Sequence, residues 1–132
     1  MLKKYSRPYL AMLVVLALVE YIWFFYVAGD FFRGEVSHVL TDSPKLHWAT
    51  LFYLFYPVAI IIFVLSRFND LKNTLLMGAF LGFTVYFVYD ITNYVTLFEW
   101  SIKLMVVDIL WGTAVTAFVS FIGFKFLKKS EN

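Results

Sequence analysis

The sequence predicts an all-α fold: a single-domain integral membrane four-helix bundle with both termini on the cytoplasmic side. Three observations predict it. Of the 132 residues, 62% are apolar and 15% charged, against about 45 to 50% and about 25% in ordinary soluble domains. The apolar residues gather into four runs, at about 9–28, 46–66, 75–95 and 104–124. Each is long enough, at about 1.5 Å per residue, to cross a hydrocarbon layer of roughly 30 Å. Finally, Lys and Arg fall mostly on one side of the resulting topology.

The first run follows Lys3, Lys4 and Arg7, as a secretory signal would. Its apolar part continues through Tyr21, Trp23, Phe24, Phe25 and Tyr26, where a cleavage region needs small residues, so it is read as a retained helix. The second run is broken only by Pro57, whose missing N–H predicts a kink near Tyr53. Neither the third nor the fourth shows the alternation of polar and apolar residues that a membrane strand requires. Between the first two helices, residues 29–45 carry Asp30, Arg33, Glu35, His38 and Asp42 around Phe31 and Phe32, a stretch that could hold a short interfacial helix. The connection at 68–73 is short and polar, as between adjacent antiparallel helices. With the first helix starting inside, Lys3, Lys4, Arg7, Arg67, Lys72, Lys125, Lys128 and Lys129 lie inside, and only Arg33, Lys45 and Lys103 outside. That asymmetry places both ends in the cytoplasm. The tail lysines read as a stop signal and could also meet anionic headgroups.

The absence of cysteine removes disulfide exchange, thiolate nucleophiles and cysteine-ligated metal. A net charge of +2 offers no basic surface for nucleic acid.

The informative residues are three carboxylic acids inside the apolar runs, since placing one near a membrane centre costs about 2.5 to 3.5 kcal/mol. By helical rise Glu20 lies about 17 Å from the inner boundary, and Asp90 and Asp108 both fall in the outer half. Tyr53 and Tyr56 share that depth. Tyr86, Asp90 and Asn93 recur at steps of four and three, placing a phenol, a carboxylate and an amide on one helical face. Asp108 heads a strip of Gly112, Thr116 and Ser120, and Gly78 with Gly82 forms a similar strip on the third helix. If the strips meet, Asp108 approaches Asp90. Glu20 with Trp23, and Asp108 with Trp111, both read acid, two residues, tryptophan, placing an indole donor beside each acid.

Residues 89–97, then Trp100, then residues 107–113 resemble the signature of a small bacterial membrane-protein family catalogued as domain of unknown function 2177. Residues 52–56 are similar to an aromatic segment of its second helix, and Glu20 with Trp23 falls where the family usually has Asp and Trp. The resemblance covers nearly the whole chain. It implies a four-helix membrane fold in the bacterial cytoplasmic membrane, with Asp90, Asn93, Asp108 and Trp111 as marked positions, and supplies no activity.

The residues support several expectations. One is a site binding or transporting a small cation, a proton or an amphipathic ligand, formed by Glu20, Trp23, Tyr53, Tyr56, Tyr86, Asp90, Asn93, Asp108 and Trp111 and opening to the outer face. A chain this small would then act as a homo-oligomer or within a larger membrane complex. In the second, the acids form a polar knot that locks the helices, in a structural or accessory subunit. A lipid-modifying enzyme using paired carboxylates is the third, and the weakest, because no nucleophile with an adjacent base and no phosphate loop occurs. No catalytic residue, metal ligand or cofactor is assigned, and the bilayer is the expected partner. His38 and His47 read as ordinary interfacial residues, and Lys103 as pairing with Glu99 or reaching Asp90.

Overall fold

A computed structural model describes residues 2–41 and 43–131, and among these the regular elements are all helical. Helix α1 (Leu2–Ile22) continues into a π turn, Trp23–Val27, and a short α2 (Gly29–Val36) follows. Helix α3 (Leu46–Ile60) ends in a second π turn, Ile61–Leu65, before α4 (Leu71–Thr96) and α5 (Ile102–Glu131). Four stretches, Lys3–Val27, Leu46–Leu65, Leu71–Thr96 and Ile102–Lys129, are long and apolar enough to cross a membrane. A short helix does form in the first connection, α2, which carries Asp30, Arg33 and Glu35; Asp42 lies outside the described residues.

The helices outrun their apolar stretches because polar residues cap them. Asp70 holds the N-terminus of α4 with an extended backbone, and its carboxylate accepts the Asn73 backbone N–H and side-chain amide, both at 2.9 Å. This satisfies a donor that the first turn leaves unpaired. The Ser101 hydroxyl accepts the Leu104 N–H at 3.2 Å ahead of α5. Pro57 leaves α3 α-helical through Tyr53, and the irregularity comes later, at Ile61–Leu65, where the Ile61 N–H is shared between the carbonyls of Pro57 and Val58. The Tyr9 hydroxyl donates to the Leu54 carbonyl at 3.1 Å, joining α1 to α3.

Helix α5 is the axis of the bundle, packed along α4 and, less extensively, along α1. The α4 and α5 strips meet in opposite directions at steps of four. A Cβ added to Gly78 would stand 2.8 Å from that of Ser120, one added to Gly82 would stand 2.6 Å from that of Thr116, and one added to Gly112 would enter the Tyr86 ring. Only glycine permits that approach, and in lipid such packing replaces the missing hydrophobic force. The next step along the same register sets Asp90 against Asp108. On α1 the buried strip is Pro8, Met12, Leu16 and Glu20, again at steps of four.

Helix α3 joins mainly through its second half. No side chain of α3 before Tyr56 is buried, whereas Ile60, Val64 and Leu65 pack with Met12, Leu16, Val115, Val119 and Leu127 in one apolar core. That core occupies the half of the bundle nearest the two termini, as the apolar sequence there leads one to expect. The acids lie in the other half, called here the far end.

Replacing Gly82 with Leu is expected to destabilise the bundle by at least about 1 to 3 kcal/mol through overpacking. Gly34→Leu, where nothing stands within 4 Å of the added Cβ, should be near neutral; denaturant unfolding in detergent compares the two. The Asn73 bonds, the backbone one first, hold the exposed Asp70 carboxyl below its ordinary value of 3.8. A lowered folded-state value makes the cap's contribution complete above the unfolded value and lost as pH falls through the folded one. Asp70→Ala should therefore lower the melting temperature at neutral pH and leave it unchanged in acid below both values.

Candidate functional site

Glu20 is the meeting point of three helices. It is 3% exposed, and its Oε1 accepts two hydrogen bonds, from the Tyr86 hydroxyl on α4 and from the Trp111 indole N–H on α5, each 3.2 Å long. Tyr86 can reach it because its ring lies over Gly112. Trp111 in turn stacks face to face on Trp23, with ring centroids 4.0 Å apart and planes 4° from parallel. The sequence pairs each acid with the tryptophan three residues on in its own helix. The structure crosses that pairing: the α5 indole serves the α1 acid, while the Trp23 Nε1 is buried with no hydrogen-bond partner. Side chains spaced three apart on a helix lie on one face, but that face here turns Trp111 toward α1.

Asp90 and Asp108 form the second part. Asp90 is 0% exposed and Asp108 is 6% exposed. Each is the other's polar neighbour, and the Trp100 indole also stands beside Asp90. Both Asp90 oxygens and the Trp100 Nε1 are enclosed and lack a well-formed hydrogen bond, with the Trp100 indole N–H and the Asp108 carboxyl as the donors at hand. Buried polar atoms without partners are rare in native structures and call for a specific reason. Among the described residues, no group of three or more histidines and acids is arranged to hold a metal ion.

The remaining expected residues divide. Tyr56 is buried and shares a 2.7 Å hydrogen bond with Thr116, tying α3 to α5, and it lies near enough to Glu20 to interact electrostatically. Tyr53 is half-buried and near enough to Glu20 to interact electrostatically. Asn93 is half-buried beside Tyr89 on its own helix, three residues beyond Asp90. Lys103 pairs with neither Glu99 nor Asp90: its ammonium lies 3.8 Å from Glu35 and 5.2 Å over the Phe31 ring. His38 approaches the Phe98 carbonyl at 3.0 Å, and His47 lies against Trp48.

The cavity expected among the acids takes a different form. A groove of about 390 Å³ runs along Val19, Ile22, Trp23, Val27 and Trp111, and a smaller one of about 150 Å³ lies among Trp23, Val27, Ala28, Phe31 and Val107. Both are lined by apolar and indole side chains, and the acids stand behind them in a closed core. Trp100 is the neighbour that helical spacing alone could not find. It sits in the α4–α5 loop next to Glu99, whose φ of 54° is the left-handed exception among the described non-glycine residues. A loop residue has no periodicity to place it; its place in the family-like pattern between the two acid-bearing segments is the signal that the sequence offers.

A family described as "Predicted membrane protein (DUF2177)" matches residues 5–125. The chain belongs to this family. No curated protein and no solved structure matches the chain. The DUF2177 match takes in α1 from Tyr5, the whole of α2, α3 and α4, and α5 as far as Lys125, so all three buried acids and both stacked tryptophans lie inside it.

Tyr86→Phe is expected to cost about 0.6 kcal/mol, the average for a hydrogen bond between membrane helices. Because Tyr86 and Trp111 share one Glu20 oxygen, Tyr86→Phe and Trp111→Phe should combine non-additively in a double-mutant cycle of unfolding free energies. Strict additivity would contradict a shared acceptor.

Proposed function

We propose that this small multi-pass membrane protein binds a proton or a small monovalent cation between Asp90 and Asp108, and that Glu20 is the polar lock holding the helices around that site. The observation that carries the reading is the full burial of Asp90, with both oxygens unpartnered and another carboxyl facing them. Two carboxyl groups brought together in low dielectric repel one another when both are ionised. One positive charge between their oxygens removes the repulsion, and a proton or a bare small cation suits a pair as enclosed as Asp90 and Asp108. Intramembrane acids facing a bundle interior are the usual carriers of such charges in pumps and transporters. The proposed cell membrane is the bacterial cytoplasmic one, with both termini inside, on the strength of the Lys and Arg asymmetry.

Glu20 supports the structural reading for its own position. It has two donors, a tyrosine and an indole, each from a different helix. That pattern suits a lock and leaves the chemistry to the aspartates. A purely structural role would call for well-formed donors at Asp90 as well, and there the groups at hand are the Trp100 indole and another acid, neither in a well-formed hydrogen bond.

Dicyclohexylcarbodiimide, an apolar reagent that modifies protonated carboxyls within membranes, tests the proposal on the protein in lipid vesicles. Mass spectrometry of the digested chain is expected to find the adduct on Asp90 or Asp108. Sodium or lithium should slow its formation where the cation competes with the proton. Asp90→Asn and Asp108→Asn should each abolish it without changing the melting temperature by more than a few degrees. Absence of the adduct at both positions, or collapse of the fold in both variants, would leave the polar lock as the account of all three acids.

A further inference from the structure

The far end of the bundle is closed by two pieces of chain fastened to each other. One is the α4–α5 loop, where Leu97 is extended, Glu99 turns the backbone with a φ of 54° and Trp100 follows. The other is α2 with the turn after it. Their fastening is specific. The Glu35 carboxylate accepts a hydrogen bond from the Ser101 hydroxyl and has the Lys103 ammonium 3.8 Å from its other oxygen. Ser101 is the residue that caps α5, so the bond acts directly on the start of the helix that carries Asp108. His38 holds the Phe98 carbonyl at 3.0 Å, and Lys103 also lies over Phe31 of α2. Beneath this fastening Val36 and Leu104 are buried.

Trp100 links this surface to the interior. Its side chain is only half-buried, yet its indole Nε1 is fully enclosed and stands beside Asp90. The ring meets Tyr89 edge to face, with centroids 6.4 Å apart and planes at 83°. One side chain therefore spans from the exposed end of the bundle to the buried carboxyl pair, and no other residue of the loop is shown beside Asp90.

We propose that Trp100 is a plug over the Asp90 and Asp108 pair, and that α2 with the turn after it, through Glu35 to Ser101 and Lys103 and through His38 to the Phe98 carbonyl, is the latch that keeps the α4–α5 loop and its plug closed. This rests on the reading of the pair as a proton or cation site, and adds to it the route by which water and the ion arrive. The chemistry of the two layers suits the roles. The α4 and α5 ladder is held by close packing of small residues and cannot open without unmaking the bundle. The latch is made of a hydroxyl, an ammonium, an imidazole and one carboxylate near the helix ends, where water can replace each bond as it breaks. Opening exposes the Trp100 side chain and leads to the two carboxyls; closing excludes water from them.

The chain has no cysteine, so Glu35→Cys with Ser101→Cys introduces one controllable pair. Oxidised, the pair fastens the loop to α2; reduced, it lacks both partners of the central latch bond. The readout is modification of Asp90 and Asp108 by a water-soluble carbodiimide with glycine ethyl ester, on the full chain in lipid nanodiscs. The reduced variant is expected to react at these residues at least several-fold faster than its oxidised form and faster than the unmodified chain. Equal rates in all three would overturn the latch. If the double variant does not fold or its cysteines do not join, Glu35→Gln, which keeps the side chain's size, should show the same acceleration; no acceleration overturns the proposal. Dicyclohexylcarbodiimide, which arrives through lipid, separates the two ideas. Reaction with it but indifference to the latch removes the gate alone, whereas no reaction in any variant removes the ion site beneath it.

Discussion

The close approach of α4 to α5 is the constraint on which the far end of this bundle depends. Lipid tails are as apolar as leucine, so two membrane helices gain little by hiding apolar surface from them; contact comes from shape. Gly78, Gly82 and Gly112 supply that shape, because a Cβ at any of them would collide with the opposite helix. Once the glycines set the register, it continues at steps of four and leaves Asp90 no position except against Asp108. The same register lays the Tyr86 ring over Gly112, and from there its hydroxyl reaches Glu20 and brings in α1. A steric rule in α4 and α5 thus decides where three acids go.

The acids then differ by what surrounds them. Glu20 has a phenol and an indole for its one bonded oxygen, and those donors offset part of the cost of a carboxyl among apolar helices, about 2.5 to 3.5 kcal/mol near a membrane centre. Bonds of that kind average about 0.6 kcal/mol each, so two of them offset the cost incompletely. Asp90 has no such donor within hydrogen-bond geometry, and its closest polar company is another acid and an indole. A fold under no demand but stability would more easily keep an apolar side chain there. The contrast between a satisfied acid and an unsatisfied pair, a turn or two apart, is the reason for assigning the first to architecture and the second to a bound charge.

Much of this was legible before any coordinates. Four apolar runs and the Gly78, Gly82 and Gly112 strips needed only composition and helical spacing, and the meeting of the strips, with Asp108 brought to Asp90, follows from them. Other features depended on contacts that spacing along one helix does not contain. The indole of Trp111 was paired with Asp108 by sequence proximity, but its direction is set by how α5 turns toward α1, and it serves Glu20. Asn93 shares a helical face with Asp90, yet the partner it finds is Tyr89 on its own helix. Pro57 marks α3 as irregular, while the π turn appears only after it, at Ile61–Leu65, where spacing along one helix does not place it. The pairing of Glu35 with Ser101 and Lys103 joins residues more than sixty positions apart and has no local signal at all.

Everything proposed for the far end requires Asp90 and Asp108 to meet inside the bundle in lipid. Solid-state NMR of the chain in bilayers, with 13C at the aspartate carboxyl carbons, tests it without altering a residue. The account predicts a through-space cross peak between two carboxyl resonances, lost when Asp90 or Asp108 is replaced by an unlabelled residue. Isolated carboxyl resonances with no such correlation would contradict it, and with it both the register between α4 and α5 and the site built on that register.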